Sequence, residues 1–256
     1  DAKQYIDQYF TIVKDEEIVP NDYILKGQIY GALSGDDQVV YDSYVKAAQI
    51  DSDYNDKMDV IKKGITFFES KKKWCPAAEM RIVQAKSRKA PEATDPFFIG
   101  LRFYQCGQYQ RADSGFQAYI TLAPDTVYGH YYRAKTNYAL DTTMTKDPFA
   151  STMVQEYQKT LSLAQADKVK FKNQAIESSK LLAGYFNNIK QNKDSALIYL
   201  KQGLEFDTSN VSIKELIKYL ETARSRNGKA TGMTKSVSSR NDLWAVKNKN
   251  IDIPKA

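Results

Sequence analysis

Cysteine and histidine are the side chains that most often hold a metal ion or act as nucleophiles, and this chain has few of them. Its cysteines are Cys75 and Cys106, and its single histidine is His130. Two cysteines are too few for a disulfide framework, and one histidine leaves a zinc site short of ligands. No nucleophile stands in a recognisable motif with His130. We therefore predict no metal site and no catalytic residue, and we interpret His130 as a packing residue.

Acidic residues occur in close pairs, and carboxylates are a residue type that general acid–base catalysis uses. The pairs lie at predicted turns or helix ends, where Asp36 in particular can cap a helix N-terminus. A glycosidase-like arrangement across a cleft does not follow from them, and no glycine-rich phosphate-binding motif occurs. We expect neither an enzyme nor a bound cofactor. The pairs are Glu16 with Glu17, Asp36 with Asp37, and Asp51 with Asp53.

The composition predicts a packed core with a charged surface. Of the 256 residues, 42% are apolar and 27% are charged, and no apolar run approaches the roughly 18 residues that a membrane span needs. The net charge of +6 is compatible with nucleic-acid binding. The lysines are scattered, however, so that no predicted helix carries a continuous basic stripe. We expect no membrane span and no nucleic-acid partner.

The strongest pattern lies in residues 93–126, where two helical faces flank a turn. Apolar residues recur there at steps of three and four on both sides of the turn. Small residues alternate with phenylalanines, as close packing of two antiparallel helices requires. The residues that carry the pattern are Gly100, Phe103, Gly107, Ala112, Phe116 and Pro124. This spacing resembles the tetratricopeptide repeat, a helix–turn–helix unit of about 34 residues, although Pro96 stands where a Trp is usual.

The resemblance extends over most of the chain and implies an all-α fold, a right-handed α-solenoid of antiparallel helix pairs. We call the first helix of each pair the opening helix and the second the return helix. The small residues of the opening helices are Gly27, Gly64, Gly100, Ala134 and Gly184. We predict a solenoid over 1–226, with repeats at 20–53, 54–91, 93–126, 127–165 and 167–208, a half repeat at 1–19, and a capping helix at 210–226.

The two ends of the chain carry further predictions. The half repeat at 1–19 indicates that more repeats precede it, so we expect the C-terminal part of a longer array. Residues 227–256 have the composition of a polar tail. Apolar islands at 243–246 and 251–254 favour docking of this tail, onto the solenoid or in self-association with a neighbouring molecule.

The resemblance also implies a concave face that is lined by the opening helices and binds another molecule. We predict that this face carries Phe97, Leu101, Tyr104, Tyr128, Tyr131, Lys135, Tyr138, Leu181, Tyr185 and Asn188. Such a tyrosine-rich groove suits a peptide or a partner protein. Each of these residues has an alternative place in the core between repeats. The family's carboxylate clamp is not expected, because Phe97, Tyr131 and Leu181 occupy its lysine position.

A glycan-binding envelope protein is the alternative function, because exposed tyrosine rings can stack on sugars. The abundance of tyrosine resembles repeat proteins of bacterial envelopes, and a periplasmic or envelope location is favoured over the cytoplasm on that likeness alone. In stacked helix pairs, Cys75 at the start of a return helix and Cys106 at the end of the next opening helix lie on one edge. A disulfide and two separate buried thiols both remain open, and we favour the thiols.

Overall fold

The computed structural model describes residues 1–33 and 35–227, and these residues form two compact units. The first unit is residues 1–140, and the described part of the second is residues 141–227. Twelve α-helices and two short 3-10 segments, Asp15–Glu17 and Gln165–Asp167, make up the regular structure of the described residues, with no strand among them. The prediction of an all-α fold of helix pairs is confirmed.

The first unit is built from eight helices that pack on their neighbours in sequence order. They are α1 (Ala2–Ile12), α2 (Pro20–Leu33), α3 (Asp37–Ile50), α4 (Tyr54–Ser70), α5 (Trp74–Ser87), α6 (Asp95–Gln105), α7 (Tyr109–Leu122) and α8 (Val127–Leu140). The opening helices of this unit are therefore α2, α4, α6 and α8, and the return helices are α3, α5 and α7.

Polar side chains and one glycine set the ends of these helices. The Asp36 carboxylate accepts a hydrogen bond from a backbone N–H in the first turn of α3, as predicted. The Asp53 carboxylate accepts two such bonds in the first turn of α4. Because the first N–H groups of a helix have no partner within the helix, these caps stabilise its start. Gly107 turns the chain between α6 and α7 with a φ of +80°, a conformation that glycine adopts without strain.

Small residues allow the opening and return helices of a pair to come close together. A Cβ atom on Gly100 would lie 3.1 Å from the carbonyl oxygen of Ala112 and 3.2 Å from the Phe116 ring. Phe103 and Phe116, the large residues of the same pattern, are buried. The predicted alternation of small and large residues therefore describes the packing of α6 on α7.

The second unit contains four described helices. They are α9 (Phe149–Ala164), α10 (Lys172–Asn188), α11 (Lys193–Leu204) and α12 (Val211–Asn227). α10 packs on both α9 and α11, and α12 packs on α11. Ile213, Leu216 and Leu220 of α12 are buried in a cluster with Leu200. That α12 caps a solenoid stays a prediction.

The division between the units falls after α8, within the predicted fourth repeat at 127–165. The pairs α2–α3, α4–α5, α6–α7 and α10–α11 lie within the predicted ranges 20–53, 54–91, 93–126 and 167–208. One continuous array over 1–226 stays a prediction. Among the described residues, no helix combines the length and apolar character that crossing a membrane requires. The apolar islands at 243–246 and 251–254 lie outside the described residues.

Candidate binding surface

The predicted groove residues of α6 divide between the interior and the surface. Leu101 is fully buried, and the Phe97 ring packs against the rings of Phe116 and Tyr132 with centroids 5.8 and 5.7 Å apart. Tyr104 is half-buried and contacts the Tyr132 ring edge-on at 6.1 Å. Phe97 and Leu101 thus hold α6 against its neighbours, and Tyr104 alone of the three offers part of its side chain to solvent.

The predicted residues of α8 lie on one face of the helix, at steps of three and four. Tyr128, Lys135 and Tyr138 are half-buried, whereas Tyr131 is 7% exposed. The Lys135 ammonium group donates a hydrogen bond to the Tyr131 hydroxyl at 3.3 Å and lies 5.1 Å from the centre of its ring. This contact combines a hydrogen bond with a cation–π attraction and fixes the lysine on the tyrosine. The three half-buried side chains form a polar and aromatic stripe along α8.

The remaining predicted residues belong to α10 in the second unit. Leu181 and Tyr185 are each 7% exposed, and Asn188 is half-buried. The Asn188 side-chain oxygen accepts a hydrogen bond from the Asn187 amide at 2.7 Å. Burial gives Leu181 and Tyr185 a packing role in α10. Of the ten predicted residues, the five that keep accessible surface are Tyr104, Tyr128, Lys135, Tyr138 and Asn188.

A depression that is lined mostly by the opening helix α4, with one residue each from α2 and α3, was not predicted. Its volume is about 500 Å³. Charged side chains of both signs line it, and Lys62 forms an ion pair with Asp59 at 3.0 Å. The lining residues are Gln28, Tyr44, Asp59, Lys62, Lys63, Thr66, Phe67 and Ser70. No local motif identifies these residues, since Gln28 of α2 and Tyr44 of α3 meet the α4 residues only when α3 packs on both of its neighbours.

A second cavity is lined by the return helices α5 and α7 and by the opening helix α6 between them. Its volume is about 460 Å³ and its walls are mostly apolar. Ile82 of α5, Ile99 of α6 and Leu122 of α7 contribute to it. At one end, the Arg111 guanidinium lies 3.8 Å from the centre of the Phe103 ring. Both cavities are lined by charged as well as apolar side chains, and the apolar share is larger in this second one.

A shared carboxylate joins three helices of the first unit. The Glu69 side chain at the end of α4 accepts hydrogen bonds from Arg81 of α5 and Arg102 of α6, each at 2.8 Å. Arg102 is buried and its guanidinium also lies 5.4 Å from the Trp74 ring. Burial alone would raise the pKa of Glu69. The hydrogen bonds and charges of Arg102 and Arg81 outweigh it, so that the pKa is held below its usual value.

Other shifted pKa values also have structural causes. The Tyr30 hydroxyl donates to the Asp7 carboxylate at 2.6 Å, which raises the pKa of Tyr30 to about 12. Hydrogen bonds from Ser209 and Lys172 lower the pKa of Asp207 to about 2. Hydrogen bonds and a neighbouring charge thus account for both shifts. Within the described residues, no three His, Cys, Asp or Glu side chains form a group that could hold a metal ion.

The structure corrects the prediction for the cysteines and agrees with that for the histidine. Cys75 and Cys106 are joined by a disulfide, with their Cα atoms 5.5 Å apart. The prediction of two separate buried thiols is wrong, because stacking of α5 on α6 brings the two ends into bonding distance. His130 is buried, and its Nε2–H donates to the Pro124 carbonyl oxygen at 2.8 Å. It packs α8 against the preceding turn.

Helix pairs of this kind define the chain as an all-α helical-repeat protein. Comparison with solved structures identifies the type of helical repeat. The chain is 22% identical to the C-terminal part of a TPR repeat-containing protein from Cytophaga hutchinsonii, with a TM-score of 0.56 and coverage of 83% of this chain and 79% of that one. The chain therefore has the tetratricopeptide-repeat fold. At this identity the likeness establishes the fold alone.

Two other similar structures have TM-scores below 0.5, and we draw nothing from them. One is MamA protein, with 15% identity, a TM-score of 0.47, and coverage of 84% of this chain and 98% of that one. The other is a thermophilic TPR protein of Thermus thermophilus, with 13% identity, a TM-score of 0.41, and coverage of 80% and 100%. No family model and no curated protein matches the sequence.

Proposed function

We propose that the chain is a non-enzymatic scaffold that binds an extended peptide segment of a partner protein on the opening helices of its first unit. The observation that carries the proposal is the depression along α4, bordered by Gln28 of α2 and Tyr44 of α3, with its mixed charges. Asp59, Lys62 and Lys63 supply ionic contacts, and the Phe67 ring supplies apolar area beside them. An extended peptide needs both, because its backbone requires polar partners and its side chains require apolar ones.

The half-buried tyrosines extend this surface to α6 and α8. Tyr104, Tyr128 and Tyr138 keep part of their rings accessible, and a tyrosine loses little rotamer entropy when it contacts a partner. Their hydroxyl groups can donate to peptide carbonyl oxygens or accept from peptide N–H groups. The same opening helices thus offer a charged region and an aromatic region to one ligand.

Selection from a random peptide library displayed on phage tests the proposal. A selected peptide should lose about tenfold or more in affinity when Lys62→Glu reverses one charge of the depression, which corresponds to about 1.4 kcal/mol. The matched control is Lys86→Glu, the same change at an exposed position of the return helix α5. Equal losses for the two variants, or no loss for either, would refute binding at the opening helices.

The tyrosines need a test that separates binding from packing. Tyr104→Ala and Tyr138→Ala should each weaken the selected peptide while leaving the urea midpoint nearly unchanged. A loss of roughly 3–5 kcal/mol in unfolding free energy, as core aromatics show, would make these residues structural and remove them from the surface.

Glycan binding remains the alternative, and the ring geometry does not favour it. A sugar platform needs aromatic faces that are free, whereas the Tyr104 ring of the candidate surface is already packed against the rings of Tyr109 and Tyr132 at 5.6 and 6.1 Å. If the phage selection enriches no peptide and a glycan array gives a signal that Tyr138→Ala abolishes, the glycan alternative replaces the peptide proposal.

A further inference from the structure

The disulfide links two consecutive repeats at a place that solvent can reach. Cys75 lies in the first turn of α5, and Cys106 directly follows the last residue of α6. Both cysteines are half-buried. Structural disulfides are commonly enclosed in a core, whereas exposed ones are more open to exchange with other thiols. The site therefore meets the first requirement for thiol–disulfide exchange, which is access.

The two sulfur atoms have different surroundings. The Gln108 side-chain amide donates a hydrogen bond to the Cys75 sulfur at 3.2 Å. The Cys106 sulfur lies 3.6 Å from the carbonyl oxygen of Phe103. A disulfide sulfur carries no proton, so this second contact places an electron-rich oxygen against the sulfur without a hydrogen bond. Negative charge would be stabilised on Cys75 and opposed on Cys106.

The helix ends add to this asymmetry. The backbone N–H groups at the start of α5 favour a negative charge on Cys75, whereas the carbonyl groups at the end of α6 disfavour one on Cys106. The nearby lysines add little, because the Lys73 ammonium group is paired with Asp37 at 3.1 Å. The donor amide and the helix start together make Cys75 the better thiolate leaving group.

We propose that the Cys75–Cys106 bond is a directional exchange site for a partner protein that carries a reduced dithiol. A thiolate of the partner attacks the Cys106 sulfur, the bond between Cys106 and Cys75 breaks, and Cys75 leaves as a thiolate. The partner's second thiol, as a thiolate, then attacks the partner's first sulfur, the one bonded to Cys106 in the mixed disulfide. Cys106 is released as a thiolate that takes up a proton, and the partner leaves as a disulfide. The chain gains two electrons and the partner loses two.

The fold has a means of surviving this step. Glu69 of α4 holds Arg81 of α5 and Arg102 of α6 through one carboxylate, so the helices that the disulfide joins remain connected after it opens. If the disulfide could not open without unfolding the chain, it would be a structural cross-link only. Here the ion pairs allow the bond to be opened and closed in the folded protein.

Reduced glutathione, used as a monothiol probe on the oxidised full chain, tests the direction of attack. The reaction is stopped early with acid, free thiols are alkylated, and trypsin releases residues 74–81 and 103–111 as separate peptides, one for each cysteine. Glutathione should be found on the 103–111 peptide and the alkyl group on the 74–81 peptide. Since exchange rates change with about the square root of thiol acidity, a hundredfold difference in acidity gives about a tenfold preference.

Three outcomes overturn the proposal. Equal or reversed labelling of the two peptides removes the direction, and absence of any adduct while circular dichroism shows the chain folded removes the exchange site. Full loss of helicity on reduction by dithiothreitol would show that the disulfide is a structural cross-link only.

A pair of glutamine variants tests the cause of the direction. Gln108→Glu removes the amide donor to Cys75 but keeps an oxygen for Arg111, whose guanidinium donates to Gln108 at 3.0 Å. The preference should fall at least threefold in this variant. Gln110→Glu makes the same change at an exposed position two residues further along, and it should leave the preference unchanged. Equal effects from both would trace the direction to overall charge and overturn the assignment to Gln108.

Discussion

Removal of the disulfide provides a sharp test of the first unit's stability. In the variant with Cys75→Ser and Cys106→Ser, the folded chain loses little contact area, because serine is close to cysteine in size and both positions are half-buried. The main effect lies in the unfolded chain, which gains the freedom of a loop between residues 31 positions apart. The loop-entropy relation gives a loss of about 3.7 kcal/mol at 25 °C.

This loss is large enough to measure by urea unfolding. With a slope of roughly 2 kcal/mol per molar urea, the midpoint should fall by about 2 M. Trp74 is a local reporter, since it adjoins Cys75 and lies 5.4 Å from the Arg102 guanidinium. The assay therefore uses a Trp244→Phe background, in which Trp74 is the only tryptophan of the sequence.

Reduction of the parent chain with dithiothreitol is the control, and it should reproduce the midpoint of the double variant. A loss below about 1 kcal/mol would contradict the reasoning, because it would mean that the unfolded chain is already constrained between residues 75 and 106. A normal loss in the variant without any change on reduction would show instead that the serine side chains disturb the folded state.

Two further predictions concern the packing of the same unit. Because the pKa of Glu69 is lower in the folded chain than its ordinary value of 4.5, its contribution to stability is present above that pH and is lost as the pH falls below it. Glu69→Gln should flatten the acid limb of a stability–pH curve measured by urea unfolding. It should also cost about 2 kcal/mol of unfolding free energy at pH 7, less than the loss of one partner of a fully buried ion pair. An unchanged acid limb would refute this role. A Cβ atom on Gly115 would lie 2.8 Å from the Gly100 Cα, so Gly115→Ala should cost about 1–3 kcal/mol. Gly107→Ala, where no atom lies within 4 Å but φ is +80°, should cost only about 1 kcal/mol, and equal losses would argue against a backbone clash.

The helix pairs could be predicted from the sequence because their signals are local. Gly100 and Ala112 recur with Phe103 and Phe116 at fixed steps, and each of these residues keeps its role in the folded chain. Capping by Asp36 is equally local, since the carboxylate and the N–H group that it accepts from are three residues apart. Signals of this range do not depend on how one repeat packs on the next.

The state of the cysteines depends on two repeats at once. The spacing of Cys75 and Cys106 matches no disulfide framework, and the stacked-pair geometry alone brings them to one edge. That geometry was available from the resemblance, but the scarcity of cysteine favoured free thiols. The distance between the two Cα atoms, 5.5 Å, comes from the packing of α5 on α6. It cannot be predicted from the number of cysteines in the sequence.

Prediction of the groove residues on the opening helices is limited in the same way. Spacing puts Tyr128, Tyr131 and Tyr138 on one face of α8, yet Tyr131 is buried and the other two are half-buried. Exposure at such a position depends on the side chains of adjacent helices. Phe97 is enclosed because the aromatic rings of α7 and α8 surround it. A helical period predicts which residues share a face, but it does not predict how much of that face the neighbouring repeat covers.

Hydrogen bonds and ion pairs connect the two candidate binding regions of the first unit. Lys71, directly after α4, donates to the Gly31 carbonyl oxygen of α2 at 2.7 Å, which connects these two helices. Glu69 then ties α4 to α6 through Arg102 at 2.8 Å, and Tyr104 follows two residues later on α6. A peptide that contacts both regions would meet helices that are already fixed relative to each other. Since less ordering is then required on binding, more of the contact free energy appears as affinity. On this reasoning Arg102→Met, which leaves both regions chemically intact, should weaken a long selected peptide more than a short one confined to α2 and α4, and equal effects on the two peptides would show that the ion pairs do not position the surface.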